Sequence, residues 1–254
     1  MARTWLPLLL LLLWPEPSHA APRVSVLLVL AVDVSGSVSQ DRFELQREGY
    51  AAAFRSREVL EAIRSTTTRS IAVAMVQWTG PALQAVSVGW SLIDDATSGE
   101  RFAAAIDAAP RVLFSGGTSI SGAIDRAMGM LEHAPHNGLR RVIDVSGDGA
   151  NNRGRPAEDA RDEAVQAGIT INGLPILTLE PDLDSYYRQS VIVGPGSFVI
   201  AVKRYEEFAA AVRSKLITEI ADLGSGKHVV DIGLRQIGGG LGTRLAGLSG
   251  HHAR

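Results

Sequence analysis

The sequence contains no cysteine among its 254 residues. Its stability must therefore come from its core and from any bound ligand, because disulfides are excluded. It also lacks a basic surplus: 25 Lys and Arg stand against 27 Asp and Glu, for a formal net charge of −2. A nucleic-acid-binding domain would need such a surplus, so we expect no nucleic-acid partner.

Long hydrophobic runs are missing as well, except for one near the amino terminus. Arg3 precedes an apolar run over residues 5–14, and the small-residue site Ser18-His19-Ala20 follows it. This layout is typical of a secretory signal peptide cleaved after Ala20. Ten residues are too few for a membrane span, which needs about 20. We expect an exported protein, periplasmic or secreted, with a signal peptide over residues 1–20 and no membrane span once it is removed.

Apolar runs alternate with helical patterns over the rest of the chain. The predicted strands cover residues 24–32, 70–78, 83–90, 140–149, 169–177 and 196–202, and the predicted helices 40–64, 98–108, 120–132, 156–167 and 205–220. Only residues 79–82 separate the second and third strands, which permits an antiparallel hairpin but no parallel crossover. The pattern predicts a three-layer α/β domain whose sheet is mostly parallel with one antiparallel edge strand. Residues 222–254 are glycine-rich and lack aromatic residues, which predicts a flexible tail.

Two predicted strands end in polar residues. The first ends in Asp33, with Ser35 and Ser37 shortly after it, and the fourth ends in Ser146-Gly147-Asp148-Gly149. Open α/β sheets bind ligands at the carboxyl ends of their strands, where the strand order reverses. If these strands flank that reversal, the two aspartates face one crevice, and the loop Gly-Gly-Thr-Ser brings Thr118 to it.

These candidate ligands are all oxygen donors, two carboxylates and three hydroxyls. Such a set suits a hard divalent cation like Mg²⁺, which takes six oxygens and usually keeps some waters. Hydroxyls are neutral, so the ion would keep much of its charge. An acidic side chain from a partner is the natural last ligand.

The residues Asp33-x-Ser35-x-Ser37, Thr118 in GGTS and Asp148 in SGDG resemble the metal-ion-dependent adhesion site of von Willebrand factor A domains. The order of predicted elements is also similar to that family's, over about residues 24–221. Within the family the chain most resembles a bacterial group of exported single-domain proteins whose function is not established. The resemblance implies a doubly wound, Rossmann-like domain over residues 21–221, ahead of the tail.

The same resemblance implies the chemistry of the site. Ser35, Ser37 and Thr118 would touch Mg²⁺ or Mn²⁺, whereas Asp33 and Asp148 would act mainly through waters. The implied function is an adhesion-type module that recognises a carboxylate of an unknown protein partner through this ion. A scaffold domain whose metal is only structural is an alternative.

The loop after Asp148 supplies a possible rim. Asn151, Asn152, Arg153 and Arg155 follow within seven residues. Arginines beside a metal would favour an acidic partner, but they are equally compatible with a solvated loop.

A hydrolase using the same crevice is a further alternative. The segment GGTSISGA is similar to the nucleophile segment of subtilisin-like proteases, which would make Ser119 the nucleophile. Such a serine needs a histidine base, and no histidine lies between Asp33 and Ser119, where that family has its own. We therefore expect no enzyme.

Two polar residues interrupt otherwise apolar strands. Asp144 and Asn172 lie where an unpaired polar group would be costly. We expect a structural pairing, with each other or with a nearby arginine.

Overall fold

The computed structural model describes residues 23–221. The predicted signal peptide and the predicted tail lie outside this range. The strands are β1 Arg23–Asp33, β2 Ile71–Trp78, β3 Gln84–Ile93, β4 Asn137–Gly147 and β5 Thr170–Pro175. The helices are α1 Gln40–Arg55, α2 Arg57–Ser65, α3 Ala96–Ala108, α4 Ile120–Glu132, α5 Ala157–Gln166, α6 Leu183–Tyr186 and α7 Phe208–Ile220, with a π-helical turn at Tyr187–Val191 and a 3₁₀ turn at Tyr205–Glu207.

The five strands form one sheet in the order β3-β2-β1-β4-β5. Strand β1 is parallel to both β2 and β4, and β5 is parallel to β4. Only β3, at one edge, is antiparallel to its neighbour. The predicted fold class is confirmed, and the strand order reverses between β1 and β4, where a doubly wound sheet has its crevice.

Helices cover both faces of the sheet, so β1 is buried almost throughout. Alternate β1 side chains belong to two separate cores. Val26, Leu28 and Leu30 pack with apolar residues of α1, α3 and α7. Leu27 and Val29 pack with those of α4 and α5 on the other face. Between residues 23 and 221, no helix is long and apolar enough to cross a membrane.

The predicted single helix over residues 40–64 is wrong, because the chain forms two helices there. Ser56 lies between them in an extended conformation, with φ −72° and ψ 140°. Its hydroxyl accepts a hydrogen bond from the backbone N–H of Val59 and so caps α2. Neither glycine nor proline marks the break, so the helical pattern alone gave no signal for it.

The predicted strand over residues 196–202 is also wrong. The segment is joined to β5 and the residue after it only through isolated bridges, Gly173 with Val199 and Ile176 with Val202. Pro175, the last residue of β5, lies between the two bridged positions and has no N–H to donate, which interrupts a regular ladder.

Asp144 and Asn172 are paired, but with α7 and not with each other or with an arginine. Lys215 Nζ lies 2.6 Å from an oxygen of Asp144 and 2.5 Å from one of Glu219. Asn172 donates to Glu219 at 2.9 Å. All four side chains are buried, so α7 carries both partners, one turn apart, onto the sheet.

Candidate functional site

The site begins where β1 ends. Asp33 is fully buried, and one of its carboxylate oxygens accepts the backbone N–H of Ser35 at 2.7 Å. This bond folds the chain back in a tight turn, and Ser39 then caps α1 by accepting the N–H of Arg42. Both serines that follow Asp33 at two-residue spacing therefore lie in the turn between strand and helix.

Strand β4 brings the second carboxylate beside the first. The register pairs Val32 of β1 with Ser146 of β4, which places Asp33 beside Gly147 and Asp148 one residue beyond it. Ser37 donates to Asp148 at 2.5 Å, and the hydroxyls of Ser35 and Ser37 lie 3.1 Å apart.

The loop before α4 closes the site from a third direction. Its two glycines have φ of +122° and +82°, which a side chain would strain. Thr118 donates its backbone N–H to Asn152 at 2.9 Å, and its carbonyl accepts the backbone N–H of both Asn152 and Arg153. An ideal Cβ on Gly149 would lie 3.8 Å from the Thr118 hydroxyl. The structure thus brings all five predicted site residues together at the carboxyl ends of β1 and β4.

Asp33 is electrostatically incomplete. Its second oxygen, Oδ2, has no hydrogen-bond partner among residues 23–221. Burial, and after it the negative charge of Asp148, raises the pKa of Asp33 to about 7. A buried carboxylate oxygen without a partner is costly, so this atom favours a cation or a water beside it.

Two polar side chains pack closely against Gly147. A Cβ placed on this glycine would lie 2.9 Å from Asp33 Oδ2 and 3.0 Å from the Tyr187 hydroxyl. The Tyr187 hydroxyl also has no partner within the described part of the chain. Buried polar atoms without a protein partner are the kind that an ordered water satisfies, and a bound ion would hold such a water in place.

The donor set fits a hard cation. Within the described range, no group of three or more His, Asp and Glu side chains is arranged to hold a metal. The available oxygens are hydroxyls backed by two buried carboxylates, which suit Mg²⁺ or Mn²⁺ better than a soft ion.

Three residues that the sequence did not mark support the site. Tyr205 donates to the second oxygen of Asp148 at 2.8 Å, and an Arg42 nitrogen lies 3.6 Å from that oxygen. Arg111 donates to the carbonyls of Val34 and Ser35 at 2.9 and 3.1 Å. None of the three lies next to a site residue in a motif, so no spacing pattern identifies them.

Three of the four predicted rim residues already make hydrogen bonds or ion pairs within the molecule. Asn152 accepts the N–H of Thr118, and Asn151 donates to the carbonyl of Arg155 at 3.0 Å. Arg155 forms ion pairs with two acidic side chains, those of Asp125 and Glu163.

Arg153 differs from those three residues. It is exposed and packs across Gly117, where an ideal Cβ would lie 2.5 Å from Arg153 Cγ. Its guanidinium has no ion pair with any residue that the structure describes. Arg153 is therefore the rim residue available to an incoming anion.

Ser119 has a structural role and no base beside it. Its hydroxyl accepts the N–H of Gly122 at 3.2 Å and caps α4. His133 lies at the opposite end of this 13-residue helix, about 20 Å away at 1.5 Å per residue. The arrangement does not form a Ser-His pair.

Comparison with known proteins gives a family and a fold. A family profile described as a protein of unknown function (DUF1194) matches residues 23–224. No curated protein matches the sequence.

Solved structures with similar folds include the proximal thread matrix protein 1 from the mussel byssus, with 16% identity over 79% of this chain and 47% of that one, at a TM-score of 0.56. The pilus adhesin SpaC from Lactobacillus rhamnosus GG has 15% identity over 78% and 31%, at 0.54. A von Willebrand factor type A protein from Catenulispora acidiphila has 19% identity over 76% and 42%, at 0.51. The chain thus spans less than half of each, and its fold is that of a von Willebrand factor A domain.

Proposed function

The chain belongs to the protein family of unknown function DUF1194, and we propose that it is an exported, metal-dependent protein-binding module. In this proposal Mg²⁺ or Mn²⁺ binds at the carboxyl ends of β1 and β4, and a carboxylate of a protein partner completes its coordination. Residues 1–20 would be the signal peptide that directs export, and residues 21–221 the binding domain.

The observation that carries the proposal is the unpartnered oxygen of buried Asp33 at the point where three loops meet. Ser35, Ser37 and Thr118 would offer their hydroxyls to the ion, and Asp33 and Asp148 would hold its waters. When bound, the ion supplies a positive charge with a coordination position open to a carboxylate.

The protein's own residues prepare the site for this ligand. Tyr205 and Arg42 fix the orientation of Asp148, and Arg111 holds the backbone of the first loop. Ser35 and Ser37 add no negative charge, which leaves the ion attractive to an anion. Arg153 extends the positive potential toward solvent.

Two structures of similar fold support the adhesion-type interpretation. One is a pilus adhesin. The mussel matrix protein has also been solved with its metal-ion-dependent adhesion motif occupied by zinc, with 15% identity over 78% of this chain and 46% of that one, at a TM-score of 0.56. Because no Ser-His pair forms at Ser119, a binding role is favoured over hydrolysis.

A metal-dependent pull-down tests the function. The immobilised protein is incubated with envelope extract in Mg²⁺ or in chelator, next to Asp33→Ala and the exposed control Asp182→Ala, whose side chain makes no capping hydrogen bond. We expect a partner retained by the wild type and by the control in Mg²⁺ only, and lost by Asp33→Ala. A partner set that is the same in chelator would contradict the proposal and leave the metal a structural role.

A further inference from the structure

An exposed apolar ledge, formed by Val112 and Phe114, lies beside the site. Phe114 is 61% exposed and Val112 48%, and Phe114 is the most exposed large apolar residue between residues 23 and 221. Single exposed apolar residues are ordinary. These two lie two residues apart, in the loop that leads to Thr118.

The ledge is fixed to the loop after β1, which carries Ser35 and Ser37. The Arg111 guanidinium, which donates to the carbonyls of Val34 and Ser35, lies 5.0 Å from the centre of the Phe114 ring. A cation over an aromatic face at this distance is attractive. The exposed ring is therefore separated from the Ser35 backbone by one guanidinium group.

The backbone of the same loop is held as well. The N–H of Val112 donates to the side chain of Gln77 at 3.0 Å, and Gln77 in turn donates to the carbonyl of Pro110 at 2.8 Å. Gly36, in the first loop, lies close to the Phe114 carbonyl, at 4.0 Å from its ideal Cβ. An apolar surface held in place loses little conformational entropy on binding.

A cationic side chain lies against the same loop. Arg153 lies across Gly117, immediately before Thr118, and has no ion pair within the part of the chain that the structure describes. A partner group at the metal thus has both an apolar ledge and an arginine without an ion pair near it. This combination is complementary to an acidic residue with an apolar neighbour.

We infer that the partner presents a protein loop in which the metal-binding acidic side chain is flanked by an apolar side chain that packs on Val112 and Phe114. The inference rests on the proposed function and adds the apolar neighbour as the element that discriminates among carboxylates. In this inference the metal and Arg153 select the negative charge of the partner's acidic side chain, and the ledge selects the apolar side chain next to it.

Three immobilised cyclic peptides test this, with cores Leu-Glu-Leu, Ser-Glu-Ser and Leu-Gln-Leu, so that the flanking side chain and the carboxylate vary separately. Binding of the purified protein is measured by surface plasmon resonance in Mg²⁺ and in chelator. We expect Leu-Glu-Leu to bind about tenfold more tightly than Ser-Glu-Ser, equivalent to about 1.4 kcal/mol. Leu-Gln-Leu should not bind, and chelator should remove all binding.

Variants locate the effect. Phe114→Ser should reduce the preference for Leu-Glu-Leu to about twofold while leaving Mg²⁺ affinity unchanged, and Phe114→Leu should retain most of it. The matched control is Leu139→Ser, an exposed apolar residue (47%) near the start of β4, at the opposite end of the strand from the site.

The outcomes separate the inference from the function on which it rests. Equal Mg²⁺-dependent binding of both glutamate peptides would overturn the ledge and leave the carboxylate function standing. A preference that survives Phe114→Ser would also overturn the ledge. No Mg²⁺-dependent binding of either glutamate peptide would count against both, and binding of Leu-Gln-Leu would show simple apolar adsorption and overturn the inference.

Discussion

Two buried carboxylates, Asp33 and Asp144, lie in neighbouring strands and differ in one respect. Burial raises the pKa of each to about 7. Asp144 has a cation from its own chain, Lys215 at 2.6 Å. Asp33 has no such cation within the described residues. Burial and a missing hydrogen bond do not separate the two, because oxygens of both Asp33 and Asp144 lack a hydrogen-bond partner there. The missing cation does, because the chain supplies one where the role is structural.

The largest effect is expected from removing the cation of the buried cluster formed by Asp144, Lys215 and Glu219, called here the closed cluster. Lys215→Met would leave Asp144 and Glu219 buried without their cation, and removing one partner of a buried pair costs about 3–5 kcal/mol. Urea unfolding should show a loss of this size, against almost none for the exposed Lys203→Met. If the unfolding free energy of Lys215→Met is less than about 1 kcal/mol below that of the wild type, the cluster contributes little and the contrast with Asp33 fails.

The next effect is expected at the Asp33 site, through the close packing of Asp33 on Gly147. Gly147→Ala would bring a methyl group to 2.9 Å from Asp33 Oδ2, which forces the carboxylate that we expect to hold the ion's water to shift. Mg²⁺ affinity measured by titration calorimetry should fall at least about tenfold, which is about 1.4 kcal/mol. Gly89→Ala is the control, since nothing lies within 4 Å of its ideal Cβ. Unchanged affinity in Gly147→Ala would place the ion elsewhere.

A smaller effect concerns Ser119, which distinguishes a binding site from a catalytic one. Ser119→Ala removes the cap of α4 and should cost about 1 kcal/mol of stability, measured by thermal unfolding, while leaving Mg²⁺ affinity unchanged. The wild-type protein should not react with a fluorophosphonate probe. Labelling of Ser119 would revive the hydrolase alternative.

A pH slope is a further effect expected from the cluster of Asp144, Lys215 and Glu219. Asp144 faces Lys215 and Glu219 of α7 and Tyr50 of α1. Burial, then Glu219, raises its pKa to about 7, above the unfolded value of about 3.9. The folded state thus holds a proton that the unfolded state has released, so this group's contribution to stability declines as pH rises from about 4 to 7.

Asp144→Asn should flatten that decline. Urea unfolding of both proteins in chelator, at several pH values between 5 and 8, keeps the contribution of Asp33 the same in each. Parallel curves would show that Asp144 does not carry the shifted proton.

The fold class could be predicted from short-range patterns in the sequence, and the meeting of the five polar residues from their resemblance to a known adhesion site. Parallel strands bring their carboxyl ends to one edge, so Asp33 and Asp148 had to approach once β1 and β4 were neighbours. The turn residues around Ser35 and Thr118 lie within a few positions of them.

The supporting contacts could not be predicted, because they join distant parts of the chain. Tyr205 reaches Asp148 across 57 residues, and Arg111 reaches Ser35 across 76. The pairing of Asp144 with Lys215 depends in the same way on where α7 packs. Local patterns specify that such polar groups need partners, and only the packing specifies which partners.

The most direct test of the central claim, that the open site is completed by a metal, is the unfolding free energy in Mg²⁺ and in chelator for the wild type and Asp33→Ala. At a Mg²⁺ concentration 100 times the dissociation constant, the wild type should gain about 2.7 kcal/mol. Asp33→Ala should gain nothing. The account would be contradicted if the unfolding free energy of the wild type were the same in Mg²⁺, in Mn²⁺ and in chelator.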